Sequence, residues 1–236
     1  MVAMNMTLAP GVSLRRIAEI IRNATLFGAN DGSSVPERQG VASERRSLLP
    51  TERDVVGLFT LLQQRRIAYL LVGGVAVLRY VEGRNTEDID LLMSLPSLRL
   101  LPEVVIDEET EYFVRGRFRS LRVDVLLTAN ALFAETQQFF GTTHRFAELN
   151  VPTASPEGLV LLKLYALPSL YRQGQFDRVA VYESDIASLL HRHHCEVEPL
   201  LERLASHLLA SDLRELRGIV NDIHQRLVRF DQFKKT

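Results

Sequence analysis

The chain has 236 residues, 46% of them hydrophobic and 24% charged, which excludes a wholly disordered, collagen-like or coiled-coil protein. Twenty-eight Lys and Arg against 29 Asp and Glu leave a net charge of -1, so any nucleic-acid binding must come from a local patch. One cysteine, Cys195, excludes an internal disulfide framework and a multi-cysteine zinc ribbon.

No apolar run approaches the roughly 18–20 residues that span a bilayer. Residues 1–11 lack a cationic start followed by an apolar segment, so no secretory signal is read there. The expectation is a cytoplasmic protein with no membrane partner.

Residues 13–27 have helical spacing, with Leu14, Ile17, Ile20 and Ile21 on one face. Residues 28–50 collect Gly, Ser, Asn, Pro and charges without apolar periodicity and predict a linker. A helix opens at Thr51, with Asp54 at the capping-box position and Val55, Leu58, Phe59 and Leu62 as its buried face. Tyr69-Leu70-Leu71-Val72 suits a buried strand, ended by Gly73-Gly74. A short helix over 75–81 and a strand over 89–93 follow. Further strands are expected at 112–114, 123–127 and 144–151, with a helix over 130–140. Ser155-Pro156-Glu157 starts a helix with Pro in its first turn, and about four helices follow: 156–170, 177–194, 197–209 and 211–231. The expected domains are an N-terminal helix and linker (1–50), a mixed α/β core (51–152) and a helical domain (153–236).

The informative stretch is Leu71-Val72-Gly73-Gly74, then thirteen residues, then Asp88-Ile89-Asp90. Two glycines between a buried strand and a helix let backbone approach a ligand, and free N–H groups at a helix start hold phosphate. Asp88 and Asp90 are two apart on a predicted strand, so both point to one face, about 6.5–7 Å apart along the chain. Such a pair can bracket a hard divalent cation, and two such ions stabilise the attacking and leaving oxygens of a phosphoryl displacement. Asp124 sits inside the apolar pattern Val123-Asp124-Val125-Leu126, where a buried carboxylate needs a cation or a hydrogen-bond partner. A neighbouring strand would bring it to Asp88 and Asp90.

Gly-Gly, thirteen residues, Asp-x-Asp and a later lone Asp resemble the DNA polymerase beta-like nucleotidyltransferase superfamily. Gly73-Gly74-Val75-Ala76 followed by Arg84-x-Thr86-x-Asp88-x-Asp90 resembles its abortive-infection and toxin–antitoxin group. Ser155-Pro156-Glu157-Gly158-Leu159 with Lys163 resembles the helix that follows the core there. The similarity covers about residues 55–185. It implies an α+β fold, a mixed β-sheet core with flanking helices and then a C-terminal helical bundle. It also implies transfer of a nucleoside monophosphate from a nucleoside triphosphate such as ATP to an acceptor hydroxyl. By that resemblance Asp88, Asp90 and Asp124 are catalytic and bind Mg²⁺ or Mn²⁺. Gly73, Gly74, Arg84, Thr86 and Lys163 bind the nucleotide. The implied acceptor is RNA (tRNA included) or protein, and a cognate antitoxin is an implied partner. The chain departs from the pattern where Val181-Tyr182 stands in place of a Lys-Asp pair ahead of Asp185-Ile186. Two further readings stay open: a catalytically silent nucleotide-binding or antitoxin-like module, and a small-molecule transferase of the aminoglycoside-modifying kind.

Arg115, Arg117 and Arg119 alternate and share a face on a continuous strand, a phosphate-binding stripe or the solvated side of a hairpin. Arg122 and Asp124 have the other parity, so on an unbroken strand the stripe points away from the carboxylates. His191, His193, His194 and Cys195 have no second ligand pair at finger spacing and read as a basic helix end.

Overall fold

The computed structural model describes residues 13–28, 51–146 and 149–234. From residue 29 onward, the linker expected over 28–50 lies outside the described residues. The chain divides into two compact units. The first runs up to Ala129 and adds Thr143–Thr153; the second comprises Asn130–Thr142 and the chain from Ala154 onward. No described helix is long and apolar enough to cross a membrane.

Elements run in the order α1 (Leu14–Gly28), α2 (Glu52–Gln64), β1 (Leu70–Val72), α3 (Gly73–Leu78), β2 (Asp88–Met93), α4 (Leu95–Arg99), β3 (Val104–Glu109), β4 (Phe113–Phe118), β5 (Leu121–Leu127), α5 (Ala131–Phe139), β6 (Gly141–Phe146), β7 (Leu149–Ala154), α6 (Pro156–Arg172), α7 (Phe176–His193), α8 (Glu198–Leu204) and α9 (Ala210–Lys234). The fold class is α+β, as expected. The strands form one mixed seven-stranded sheet in the order β3-β4-β5-β2-β1-β7-β6. β2 runs antiparallel to β1 and parallel to β5, while β4 runs antiparallel to both β3 and β5.

In the first unit, α1 packs on α2. Ile17 and Ile21 are buried, as are Val55, Leu58, Phe59 and Leu62. Fully burying an aliphatic side chain of this size contributes about 1.5–3 kcal/mol. α2 starts as its sequence predicts, with the Thr51 N–H donating to Asp54 Oδ2 at 2.9 Å. The same carboxylate accepts the Ser120 hydroxyl at 2.8 Å and so anchors the β4–β5 turn. In the second unit, α6 packs against α7, α8 and α9. Its core includes Leu161, Leu164 and Leu167 of α6, Ile186 and Leu189 of α7, Leu204 of α8 and Ile223 of α9.

The sheet departs from the sequence expectation in three places. β3 was not expected, because its last three residues are Asp107, Glu108 and Glu109 and the strand lies at the sheet edge. Charged edge residues discourage pairing with other chains but hide the β pattern. β4 extends to Phe118 rather than ending at Val114, because Arg115 and Arg117 occupy its open face. The single strand expected over 144–151 is two strands, β6 and β7, adjacent in the sheet. In addition, α3 begins at Gly73 rather than Val75.

Candidate active site

β2 alternates cleanly. Ile89 and Leu91 are buried in the core, whereas Asp88 and Asp90 are only half-buried on the opposite face. β5 does the same, with Val123, Val125 and Leu127 inward and Arg122 and Asp124 on the other side. The parallel register pairs Asp90 with Asp124 and Asp88 with Arg122. Directly paired residues share a face, so the three carboxylates converge. One oxygen from each of Asp88, Asp90 and Asp124 lies within 4.8 Å of the others.

Three like charges at this spacing repel. Burial pushes the Asp124 carboxyl above its ordinary value; the charge on Asp88 adds to the rise, and Arg115 and Arg122 oppose it. A hard, oxygen-only donor set of this kind suits Mg²⁺ or Mn²⁺, and a divalent cation there would relieve the repulsion.

The glycines serve the carboxylates directly. Gly73 has φ +64°, which favours glycine, and a Cβ there would sit 1.8 Å from Asp90 Oδ2. Gly74 donates its N–H to the same Oδ2 at 3.3 Å. A Cβ on Gly74 would meet Thr86 Oγ1 at 2.6 Å. Thr86 is itself buried, and its hydroxyl lies 3.1 Å from Asp88 Oδ1, to which it donates. Thr86 therefore orients a carboxylate, a different contact from the nucleotide contact its resemblance implies. Groups that orient ligands typically change metal affinity 10–100-fold when removed. Thr86→Val is expected to weaken Mn²⁺ binding by about 10-fold or more in calorimetry with the fold intact. An unchanged affinity would refute this role.

Arg84 lies in the turn before β2, half-buried, with its guanidinium donating to the Asn85 carbonyl. Lys163 belongs to the second unit. It is 5% exposed, with Nζ 2.8 Å from Asp185 Oδ2 and 4.3 Å from the centre of the Tyr182 ring. The partner that the departing motif left in place, Asp185, is thus the lysine's own counter-ion.

Two arginines of the alternating stripe are neighbours of the site. Arg115 pairs with Asp124 across β4 and β5, and Arg117 pairs with Arg122. The two-residue turn of Arg119 and Ser120 reverses parity, because Phe118 faces Leu121. Arg115 and Arg117 therefore share the carboxylates' face, contrary to the expectation for an unbroken strand. Arg115 Nε is 3.4 Å from Asp124 Oδ1. Arg117 donates twice to Asp107, at 3.0 and 2.8 Å. Arg122 lies 3.4 Å from Glu87 and 4.0 Å from Asp88. Arg119 instead sits in the turn at φ 57°, beside Asp54 at 3.6 Å. The signal available in advance was the even loop length.

At the end of α7, the Cys195 thiol is pushed up to about 12 by burial first and then by Glu157, so it stays protonated at neutral pH. His191 stacks edge-on to Phe230.

No family model and no curated protein matches the chain. Solved structures do. The chain is similar to a solution structure of the antibiotic-resistance factor ANT(2'')-Ia, at 14% identity and TM-score 0.46, over 76% of this chain and 96% of that one. It is similar to an antigenic nucleotidyltransferase-like protein from Paracoccidioides brasiliensis, at 18% identity and TM-score 0.43, over 72% and 93%. A crystal structure of ANT(2'')-Ia in complex with adenylyl-2''-tobramycin aligns at 14% identity and TM-score 0.44, over 80% and 99%.

Proposed function

We propose that the chain is a metal-dependent nucleotidyltransferase that moves a nucleoside monophosphate from a nucleoside triphosphate to an acceptor hydroxyl. The observation that carries this is the convergence of Asp88, Asp90 and Asp124 on one face of β2 and β5, against a glycine whose missing side chain leaves room for Asp90. Mg²⁺ or Mn²⁺ held by the three carboxylates would supply Lewis-acid neutralisation of the phosphates. Asp88 and Asp90, with Asp124, would hold such an ion beside the phosphates. Asp124, whose carboxyl burial makes more basic than usual, takes the proton of the acceptor hydroxyl. The acceptor oxygen then bonds to the α-phosphorus, the bond from the α-phosphorus to the bridging oxygen breaks, and pyrophosphate leaves. The Gly73 and Gly74 backbone approaches the phosphates, and Arg84 offsets their charge; for Lys163 a nucleotide contact is what the resemblance implies.

For the acceptor, the resemblance points to an RNA or protein hydroxyl, a toxin-type role in the cytoplasm and a cognate antitoxin. One observation favours a small acceptor instead. The arginines beside the carboxylates are each matched by an acid outside the three: Arg117 by Asp107, Arg115 by Glu108 and Arg122 by Glu87. A polyanionic backbone meets no net positive stripe there, whereas a neutral or cationic hydroxyl compound is not repelled.

The test is pyrophosphate release and label transfer with each α-labelled nucleoside triphosphate and Mg²⁺. Total RNA, a protein lysate and a set of aminocyclitol or amino-sugar alcohols serve as acceptors. Transfer to one class identifies the acceptor. Thermal stabilisation by nucleotide without any pyrophosphate release would make the chain a silent binding module and overturn the enzymatic reading.

A further inference from the structure

The carboxylates are part of a longer cross-strand row. Reading across β3, β4, β5 and β2, the register aligns Glu108, Arg115, Asp124 and Asp90. Arg115 stands between two acids, with Nε 3.4 Å from Asp124 Oδ1 and Nη1 3.6 Å from Glu108 Oε2. Its guanidinium also lies over the Phe113 ring, 5.5 Å from the centroid.

The two ends of the Asp124 pair differ in freedom. The Asp124 side chain is 11% exposed, whereas that of Arg115 is 42% exposed. The carboxylate is held by its strand and its burial. The guanidinium can turn about its own side-chain bonds without disturbing the core. Solvent screens the exposed guanidinium, so the pair is readily displaced. Glu108 and Phe113 already give the guanidinium a second resting place on the solvent side.

We propose that Arg115 is the resident counter-ion of the acidic centre, a positioning residue that holds Asp124 when no divalent cation is bound and yields to Glu108 and Phe113 when one is. This rests on reading Asp88, Asp90 and Asp124 as the cation's ligands. Arg122 is a weaker candidate for the task, because its nearest acid is Glu87, outside the three. The consequence is a sign that a merely structural arginine would not produce. Removing Arg115 takes away a competing charge, so the metal binds more tightly while the metal-free protein loses stability. Removing Glu108 takes away the alternative partner, so the metal binds more weakly.

The experiment measures Mn²⁺ binding by calorimetry at low ionic strength and Tm in chelator, for wild type, Arg115→Gln, Arg115→Lys and Glu108→Gln. One unit charge acting on a divalent ion across a hydrated site corresponds to about 10-fold in affinity. Arg115→Gln is therefore expected to bind Mn²⁺ about 10-fold more tightly, with a lower Tm in chelator. Arg115→Lys stays near wild type in both measurements, and Glu108→Gln binds Mn²⁺ more weakly than wild type. Unchanged or weaker Mn²⁺ binding by Arg115→Gln overturns the counter-ion role while leaving the metal centre standing. A wild-type protein that binds no Mn²⁺ overturns the metal centre and this role with it.

Discussion

Asp90→Asn is expected to abolish nucleotidyl transfer without lowering stability. Asp90 is where the glycine approach and the proposed metal centre meet: its Oδ2 accepts the Gly74 N–H and fills the space that a Gly73 side chain would need. Asn keeps the shape but loses the charge, so metal affinity and the charge compensation that follows from it are lost. A drop of about 10³-fold or more in kcat/KM corresponds to about 4 kcal/mol of transition-state stabilisation, within what one lost metal contact accounts for. Stability moves the other way. Three carboxylates within 4.8 Å repel in the metal-free protein, so neutralising one leaves Tm unchanged or higher. Loss of activity together with a fall in Tm would make Asp90 a structural residue and refute the assignment.

The pH dependence follows from the same charges. Asp124 is raised above its ordinary carboxylate value, by burial and then by Asp88. A carboxylate with a raised folded value destabilises the metal-free fold progressively as pH rises through that value, because the unfolded chain ionises more easily. Mn²⁺ offsets this cost only where Asp124 is ionised. The Tm gain from Mn²⁺ should therefore grow as pH rises through the raised Asp124 value. Asp88→Asn removes the second cause of the rise and should move that growth to lower pH.

Those charges were legible in the sequence because a strand's period of two is strict. Asp88 and Asp90 separated by Ile89 can only share a face, and the glycines ahead of them mark a tight strand-to-helix junction. The place of Asp124 beside them was expected from its burial among valines, which needs a partner. Which face the arginines take was not legible, for a local reason. Their face depends on how many residues the turn contains, and a two-residue turn exchanges odd for even. β3 was hidden because Asp107, Glu108 and Glu109 serve the edge and the ion-pair row rather than a core. The pairing of Lys163 with Asp185 spans two helices, and helical periodicity carries no information about which residues of neighbouring helices meet.

That pair is the second place where a large effect is expected. Lys163 and Asp185 are both nearly inaccessible, at 6% and 7% side-chain exposure, and 2.8 Å apart. Breaking a buried ion pair from one side typically costs about 3–5 kcal/mol, because a charge is left in a poor environment. Lys163→Met should therefore unfold at markedly lower denaturant, and Asp185→Leu likewise. The double variant Lys163→Met/Asp185→Leu replaces both charges with apolar bulk and is expected to recover most of the loss, since buried pairs are often matched by well-packed hydrophobic residues. It also separates fold from chemistry. If the lysine's charge serves the nucleotide, as the resemblance implies, the double variant is folded yet loses about 100-fold in kcat/KM, carried mainly by KM for the nucleoside triphosphate. A double variant that regains both stability and full turnover would show that Lys163 holds α6 to α7 and does nothing else.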